Sequence, residues 1–177
     1  MNADVVIWLN GIAVNYSWLG KFVAFFAEGF GYMLLGALLY FLFTHDDKEK
    51  GTREIAIMLT VAFSAWALAH VIKYFFYSPR PFIALPGVEQ LLLHDDDSAF
   101  PSGHAAFYSA LAMAMFFYHR RIAVVLGVGA LIIGIARIAA GLHYPMDIFA
   151  GFALGIFLSS VAYSLIRDKT SSSPPLV

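Results

Sequence analysis

Five long apolar stretches, separated by short clusters of charged residues, constrain the fold of this chain more than any other feature. They cover residues 22–44, 55–77, 102–118, 122–142 and 145–166. Each contains about 17 to 25 residues, the length that an α-helix needs to cross a hydrocarbon layer of roughly 30 Å. Because lipid offers no partner for unpaired backbone groups, each stretch is expected to be helical. The composition agrees, since 60% of the 177 residues are hydrophobic and only 13% are charged.

The segment of residues 5–19 is apolar but is interrupted by Asn10, Gly11, Asn15 and Ser17. This pattern predicts a helix that lies at the membrane interface or enters the bilayer only partway. The predicted fold class is therefore all-α, a polytopic membrane helix bundle with about five full transmembrane helices plus an N-terminal interfacial or partial helix. Residues 1–169 are expected to form a single integral membrane domain. Residues 170–177, with three serines and two prolines, predict a disordered C-terminal tail.

The distribution of basic residues predicts the orientation in the membrane. Seven of the eleven lysines and arginines lie in the loop 45–54, the turn 119–121 and the C-terminal tail, which alternating spans place on one side. By the positive-inside rule this side is cytoplasmic. The loop 78–101 and the turn between the last two spans therefore face outward, together with the N-terminus.

Net charge and the absence of cysteine exclude several kinds of function. The formal net charge is -1, which excludes the strongly basic balance of a nucleic-acid-binding protein. The chain has no cysteine, so it forms no disulfide and has no thiol nucleophile or cysteine-ligated metal site. Any chemistry must come from His, Asp, Ser, Lys or Arg.

Two groups of polar residues flank the outward loop. Lys73 and Arg80 lie near the end of the second span, and Ser102, Gly103 and His104 begin the third. Ionisable residues inside a bilayer are costly and usually functional, although two cations here could also extend to the interface. A helix that begins at a serine cap provides free N–H groups for an anion; the alternative is an ordinary capped helix with an interfacial histidine.

A third group, consisting of Arg137, His143 and Asp147, spans the turn between the last two apolar stretches. Pro145 suits the first turn of a helix, which places Asp147 within reach of the imidazole of His143. A carboxylate that binds one ring nitrogen leaves the other free as a nucleophile. An arginine inside an apolar span is expected to have an anionic partner.

The three groups are predicted to share one face of the membrane. Three cations and the amides of a helix start suit a tetrahedral oxyanion, and two histidines can supply a nucleophile and an acid. These features point to phosphoryl transfer without a metal.

The spacing of these groups resembles the three-part signature of the type 2 phosphatidic acid phosphatase family. The matching elements are Lys73, six residues, Arg80-Pro81; the run 101–104, Pro-Ser-Gly-His; and Arg137, five residues, His143, three residues, Asp147. One departure is Ala136, which occupies a position where the family usually has serine. The expected effect is altered phosphate binding with the catalytic pair intact.

The resemblance implies a phosphohistidine mechanism that uses no metal and no cofactor. It implies that His143 attacks phosphorus, that Asp147 orients it and that His104 protonates the leaving oxygen. It also implies that a group of residues binds the phosphate oxygens: Lys73, Arg80, Ser102, Gly103 and Arg137.

The short chain and its outward site are most similar to the bacterial undecaprenyl diphosphate phosphatases of this family. The implied partners are the lipid bilayer and a lipid phosphate or diphosphate, in a bacterial inner membrane with the site facing the periplasm or exterior. Relatives that act on phosphatidylglycerophosphate, phosphatidate or lipid A share the motifs, so these substrates remain alternatives. Two further alternatives are a vanadate-dependent haloperoxidase and a non-catalytic protein that binds or transports lipid phosphates.

Two other features admit more than one interpretation. The run 94–97, His-Asp-Asp-Asp, could bind a cation but is more simply a solvated loop or one that gates access. Gly151 and Gly155 predict close helix packing, either within the monomer or across a homodimer interface. The sequence leaves monomer and homodimer undecided.

Overall fold

Helices account for all the regular structure in the part of the chain that the computed structural model describes, residues 2–44, 47–93 and 97–171. The predicted all-α class is confirmed. The helices are α1 (Asn2–Asn15), α2 (Ser17–Ala24), α3 (Phe30–Thr44), α4 (Lys48–Phe75), α5 (Pro81–Ala84), α6 (Gly103–Phe116), α7 (Arg120–Ala139) and α8 (Pro145–Ser171), with a π-helical turn at Phe25–Gly29 between α2 and α3.

Four helical segments among the described residues are long and apolar enough to cross a membrane. They are Ser17–Phe41, Lys48–Phe75, Arg120–Ala139 and Pro145–Arg167. The first combines α2, the π-helical turn and most of α3. These segments correspond to four of the five predicted spans, and α8 continues to Ser171. The rest of the predicted tail, residues 172–177, lies outside the described residues.

The predicted third span is shorter than the others. Helix α6 has 14 residues, or about 21 Å at 1.5 Å per residue, which is less than the thickness of a hydrocarbon layer. It packs against α4, α7 and α8, and most of its side chains are buried by these helices rather than exposed to lipid. Three long helices, α4, α7 and α8, therefore surround one short central helix, and the segment Ser17–Phe41 packs against α7 and α4.

Small residues allow α8 to approach α6 closely. A Cβ atom added to Gly151 would lie 2.6 Å from the carbonyl oxygen of Ser102, and one added to Gly155 would lie 2.7 Å from the amide nitrogen of Ala110. Both distances are too short for a real side chain. The two glycines thus serve helix packing within the monomer, one of the two interpretations of the sequence.

The helices α4, α6, α7 and α8 alternate in direction along the chain, which brings their functional ends together. The amide of Ser102 donates a hydrogen bond of 3.0 Å to the carbonyl oxygen of Asp147, so α6 and α8 both begin at one end of the bundle. Lys73 and Arg137 lie in the last turns of α4 and α7, which end there. We call this the site end, and the opposite end of the bundle carries the beginnings of α4 and α7.

The N-terminal segment forms α1, which breaks at Tyr16 before α2 begins. Asn10 lies within α1 and is fully buried against the end of α7. Trp8 and Trp18 are 65% and 67% exposed, as expected for aromatic side chains at a membrane interface. The interfacial or partial location of this segment stays a prediction.

Candidate active site

Arg80 is turned back into the bundle by the segment that follows α4. The amide of Ala99 donates to the carbonyl oxygen of Ser78 at 2.7 Å, and Pro79 pairs with Ser98, which brings the two ends of the loop 78–101 together. Arg80 is completely buried, and its Nη1 donates to the carbonyl oxygen of Leu142 at 2.9 Å. Pro81 begins α5 directly after it. Arg80, which is flanked by two prolines, thus directs its guanidinium towards the turn between α7 and α8.

Lys73 lies in the last turn of α4 and is 8% exposed. Its Nζ donates a hydrogen bond of 2.8 Å to the carbonyl oxygen of Ser98. This bond connects α4 to the loop that precedes α6.

Helix α6 begins as the sequence predicted, with Ser102 as its N-cap. The Ser102 hydroxyl accepts a hydrogen bond from the amide of Ala105 at 3.3 Å. A Cβ atom at Gly103 would lie 2.9 Å from Cε1 of His70, so a larger residue here would have to displace the imidazole of His70. The Nδ1 of His70 lies 2.8 Å from the carbonyl oxygen of Trp66. The imidazole of His70 therefore packs against the first residue of α6, Gly103.

His143 lies just before α8 and Asp147 lies in its first turn, and the two residues are 1% and 3% exposed. The Nδ1 of His143 lies 3.7 Å from Oδ2 of Asp147, which is within ion-pair distance but too long for a hydrogen bond. The same Oδ2 accepts a hydrogen bond of 2.7 Å from the amide of Tyr144. On the other side of the imidazole, Nε2 lies 3.4 Å from Nη1 of Arg80. One ring nitrogen thus faces a carboxylate and the other faces a cation.

Arg137 is the most unusual buried cation of the site. It is 2% exposed, and its Nη1 donates to the carbonyl oxygen of Ala27 in the π-helical turn at 3.3 Å. The negative charge of Glu28, in the same turn, attracts the positive charge of Arg137. Among the described residues, Nε and Nη2 of Arg137 have no hydrogen-bond partner. A buried guanidinium with two such nitrogens can bind an anion in a bidentate manner.

The electrostatic environment keeps His143 neutral. Complete burial lowers the pKa of His143 well below 6.5, and the positive charges of Arg137, Arg80, Lys73 and His104 lower it further. Of these four side chains, Arg80 lies 3.4 Å from the imidazole. A neutral imidazole has a lone pair available for attack on phosphorus.

The structure brings the predicted residues together at the site end. His104 is half-buried in the first turn of α6, where it adds to the positive charge around His143. Ala136, at the position where the resembled family has serine, is buried and apolar.

Residues 94–96 of the acidic run lie outside the described residues. Within the described ranges, histidine, aspartate and glutamate form no group of three that could hold a metal ion.

Sequence reasoning did not identify the backbone partners of the two buried arginines. Ala27 and Leu142 contribute carbonyl oxygens to Arg137 and Arg80. Since every residue has a carbonyl group, nothing in the sequence distinguishes these two. Glu28 is different, because it is a single carboxylate near the end of an apolar span. Its sequence position is enough to suggest that it pairs with a cation.

Known proteins share both the sequence pattern and the fold. The profile of the PAP2 superfamily matches residues 54–171, which include all three motifs. The chain belongs to the PAP2 superfamily. It is 34% identical to the bacitracin transport permease protein BcrC of Bacillus licheniformis over 88% of this chain and 76% of that protein. It is 28% identical to the undecaprenyl-diphosphatase BcrC of Bacillus subtilis, over 89% and 80% of the two chains.

A solved structure has the same helical arrangement. The crystal structure of Aquifex aeolicus LpxE superposes with a TM-score of 0.72 at 26% identity, covering 92% of this chain and 94% of that one. Together, the superfamily, the relatives and the apolar helices identify a multi-pass membrane protein. This PAP2 member is a lipid phosphatase, a hydrolase that acts on lipid phosphate esters.

Proposed function

We propose that this lipid phosphatase converts undecaprenyl diphosphate to undecaprenyl phosphate and inorganic phosphate. The observation that carries the mechanism is the buried His143, which lies between the Asp147 carboxylate at 3.7 Å and the Arg80 guanidinium at 3.4 Å. The choice of substrate is supported by the relative named undecaprenyl-diphosphatase, which matches over most of both chains.

In the first step, Nε2 of His143 attacks the terminal phosphorus. A P–N bond forms while the bond from phosphorus to the bridging oxygen breaks, and His104 donates a proton to that oxygen. Asp147 faces Nδ1 and stabilises the positive charge that the imidazole acquires. The equatorial oxygens bind to Lys73, Arg80 and Arg137, and to the hydroxyl of Ser102 and the amide of Gly103.

In the second step, water attacks the phosphohistidine. His104, now neutral, accepts a proton from this water as the P–N bond breaks, which releases inorganic phosphate and regenerates His143. Two helix N-termini, those of α6 and α8, add their partial positive charge to that of the cations. The site therefore concentrates positive charge where the pentacoordinate transition state carries negative charge.

The proposed location is a bacterial inner membrane, with the site end facing the periplasm or exterior. This orientation is supported by the basic residues at the opposite end of the bundle, which the positive-inside rule assigns to the cytoplasm. The lipid tail would then lie along the helices in the outer leaflet.

Purified protein should be assayed with undecaprenyl diphosphate, phosphatidylglycerophosphate, phosphatidate and lipid A. We expect the highest kcat/KM for undecaprenyl diphosphate, and higher activity on another member of the panel would reassign the substrate.

The relative named a transport permease favours transport as a second candidate. Binding of these lipids without release of phosphate would support that candidate.

The nucleophile is tested by the substitution His143→Gln. We expect turnover to fall to the background rate and, after rapid quenching in alkali, the terminal phosphate to be recovered on wild-type protein but not on the variant. An unchanged thermal midpoint would show that the variant is folded. A variant that retains turnover and phosphorylation would contradict the proposed nucleophile.

The metal-free mechanism is tested by activity in excess EDTA. We expect turnover to be unchanged, because histidine and cationic side chains perform every step. Loss of activity in EDTA with recovery on addition of a divalent cation would overturn the mechanism. This experiment also tests the acidic run 94–97 as a cation site.

A further inference from the structure

A second polar cavity lies at the opposite end of the bundle. It has a volume of about 260 Å³ and lies between the beginning of α4, the turn before α7 and the end of α8. Its polar lining consists of Lys50, Arg53, Glu54, Tyr118, Tyr163 and Arg167. On α4, Glu54 and Lys73 are nineteen residues apart, or about 28 Å along the helix. This cationic pocket is therefore distinct from the site around His143.

The charge of the cationic pocket favours an anion. Three of its lining residues, Lys50, Arg53 and Arg167, are cations, and one, Glu54, is a carboxylate. Glu54 is 4% exposed, and its Oε2 lies 2.8 Å from Nε2 of His119. Its carboxylate is thus already hydrogen-bonded within the protein, and the pocket keeps an excess of positive charge.

Aromatic side chains line one side of the pocket. The ring of Tyr163 stacks on that of Phe117 with centroids 3.9 Å apart and planes 3° from parallel. Tyr118 and Tyr163 are both half-buried, and each carries a hydroxyl that can donate a hydrogen bond to a phosphate oxygen. The pocket therefore combines charge with hydrogen-bond donors on a packed framework.

A narrow apolar cleft continues from the pocket between α4, α6 and α8. The cleft and the pocket share Ile57, Tyr118, Tyr163 and Ile166, and the cleft extends to Val61 and Ala114. Because this cleft has a volume of only about 10 Å³, it does not hold a chain; a ligand of the pocket would need an anionic head and an apolar chain that lies outside the bundle, along the apolar faces of α4 and α8. This combination is the chemistry of a phospholipid.

We propose that the cationic pocket binds the phosphate of an anionic phospholipid, whose acyl chains lie in the bilayer along the apolar faces of α4 and α8. Basic pockets between transmembrane helices on the cytoplasmic side recognise anionic head groups in this manner. Such a lipid would connect α4 to α8 at the end of the bundle where α6 stops. The proposal does not depend on the reaction at His143.

The test measures binding of dioctanoyl phosphatidylglycerol to protein in nanodiscs of phosphatidylcholine, by native mass spectrometry across a titration. This lipid is a phosphodiester without a terminal phosphate, so the site end does not hydrolyse it. The pocket variant is Arg53→Gln with Arg167→Gln. The control is Arg120→Gln with Arg121→Gln, which removes the same charge at the same end of the bundle but outside the pocket lining.

We expect the pocket variant to bind about 25-fold more weakly than wild type, from about five-fold for each cation near an anionic lipid. The control should stay within about two-fold of wild type. An equal loss in both variants would overturn the proposal, because it would show diffuse attraction to the basic end of the bundle. Retained turnover on the substrate panel verifies that each variant is folded.

A parallel titration with sodium phosphate separates the lipid from a free anion. We expect inorganic phosphate in excess to leave the bound phosphatidylglycerol in place, since inorganic phosphate lacks the acyl chains that keep the lipid beside α4 and α8. Complete displacement by inorganic phosphate would assign the pocket to the free anion and overturn the lipid proposal.

Discussion

Asn10 shows how one polar side chain can hold an apolar helix in place. Its Nδ2 donates to the carbonyl oxygens of Glu89 and Ala139, both at 2.9 Å, and its Oδ1 accepts from the amide of Glu89 at 2.9 Å. These bonds connect α1, the loop 78–101 and the end of α7. Because α7 ends at the site, α1 indirectly positions Arg137 and His143.

The substitution Asn10→Ala should lower the free energy of unfolding by about 1–3 kcal/mol, because it leaves buried backbone groups without partners. Thermal unfolding monitored by tryptophan fluorescence in detergent would measure the change. The matched control is Asn15→Ala, since Asn15 is exposed at the end of the same helix. Equal midpoints for the two variants would contradict this structural role.

The lowered pKa of His143 gives a second prediction at the scale of one residue. In protein labelled with ¹⁵N-histidine, the His143 resonance, assigned by its loss in His143→Gln, should titrate with a midpoint well below 6.5. Because the unfolded chain binds this proton near pH 6.5 and the folded chain only at lower pH, stability falls as pH decreases through this window. A midpoint at or above 6.5 would contradict the buried, cation-surrounded environment.

That these candidate side chains would lie together at one end of the bundle was predictable from the sequence, whereas their hydrogen-bond partners were not. Cations and histidines can be recognised in apolar spans because a charged side chain in a bilayer is energetically costly and is usually functional. The carbonyl groups of Ala27 and Leu142 carry no such signal. The 3.7 Å separation of His143 and Asp147 was also unpredictable, because it depends on how the amide of Tyr144 competes for the carboxylate.

At the scale of elements, the contact between α6 and α8 leads to a clear test. A Cβ atom at Gly155 would overlap Ser109 Oγ and the carbonyl oxygen of Ala106. Gly155→Ala should therefore separate the two helices and destabilise the protein by about 1–3 kcal/mol, the usual effect of overpacking. Thermal unfolding would measure it, and phosphatase activity should fall at the same time because Ser102 and Asp147 lie on these helices.

The matched control is Gly127→Ala in α7. A Cβ atom there meets nothing within 4 Å, so the variant should be stabilised by up to about 1 kcal/mol through helix propensity. If Gly155→Ala were as stable as Gly127→Ala, the close packing of α6 on α8 would be wrong.

Helix identities were predictable from hydropathy, but helix lengths were less so. Helix α4 begins at Lys48 rather than at residue 55 because Asp47 caps it, accepting a hydrogen bond of 3.0 Å from the amide of Lys50. Charged residues at a membrane boundary can continue a helix into water. The shortness of α6 follows from its central location, since a helix surrounded by protein does not need to reach both lipid boundaries.

At the scale of the whole molecule, the absence of cysteine makes the proposed orientation directly testable. Leu93→Cys introduces a thiol at a residue of the outward loop that is 95% exposed, and Thr52→Cys introduces one at the beginning of α4. A membrane-impermeant maleimide should label the first in spheroplasts and the second only after lysis. Wild-type protein is the blank for both, and the reverse pattern would invert the orientation.

The cluster around His143 draws on residues from α4, the outward loop, α6, α7 and the start of α8. An unfolded chain cannot reproduce this arrangement, so a phosphate that binds there binds the native state alone. Thermodynamic linkage then requires that ligand to raise stability, by about 2.7 kcal/mol at a concentration one hundred times its Kd. The melting temperature of this protein is therefore itself a measure of phosphate affinity, and it can be read from variants that no longer turn over.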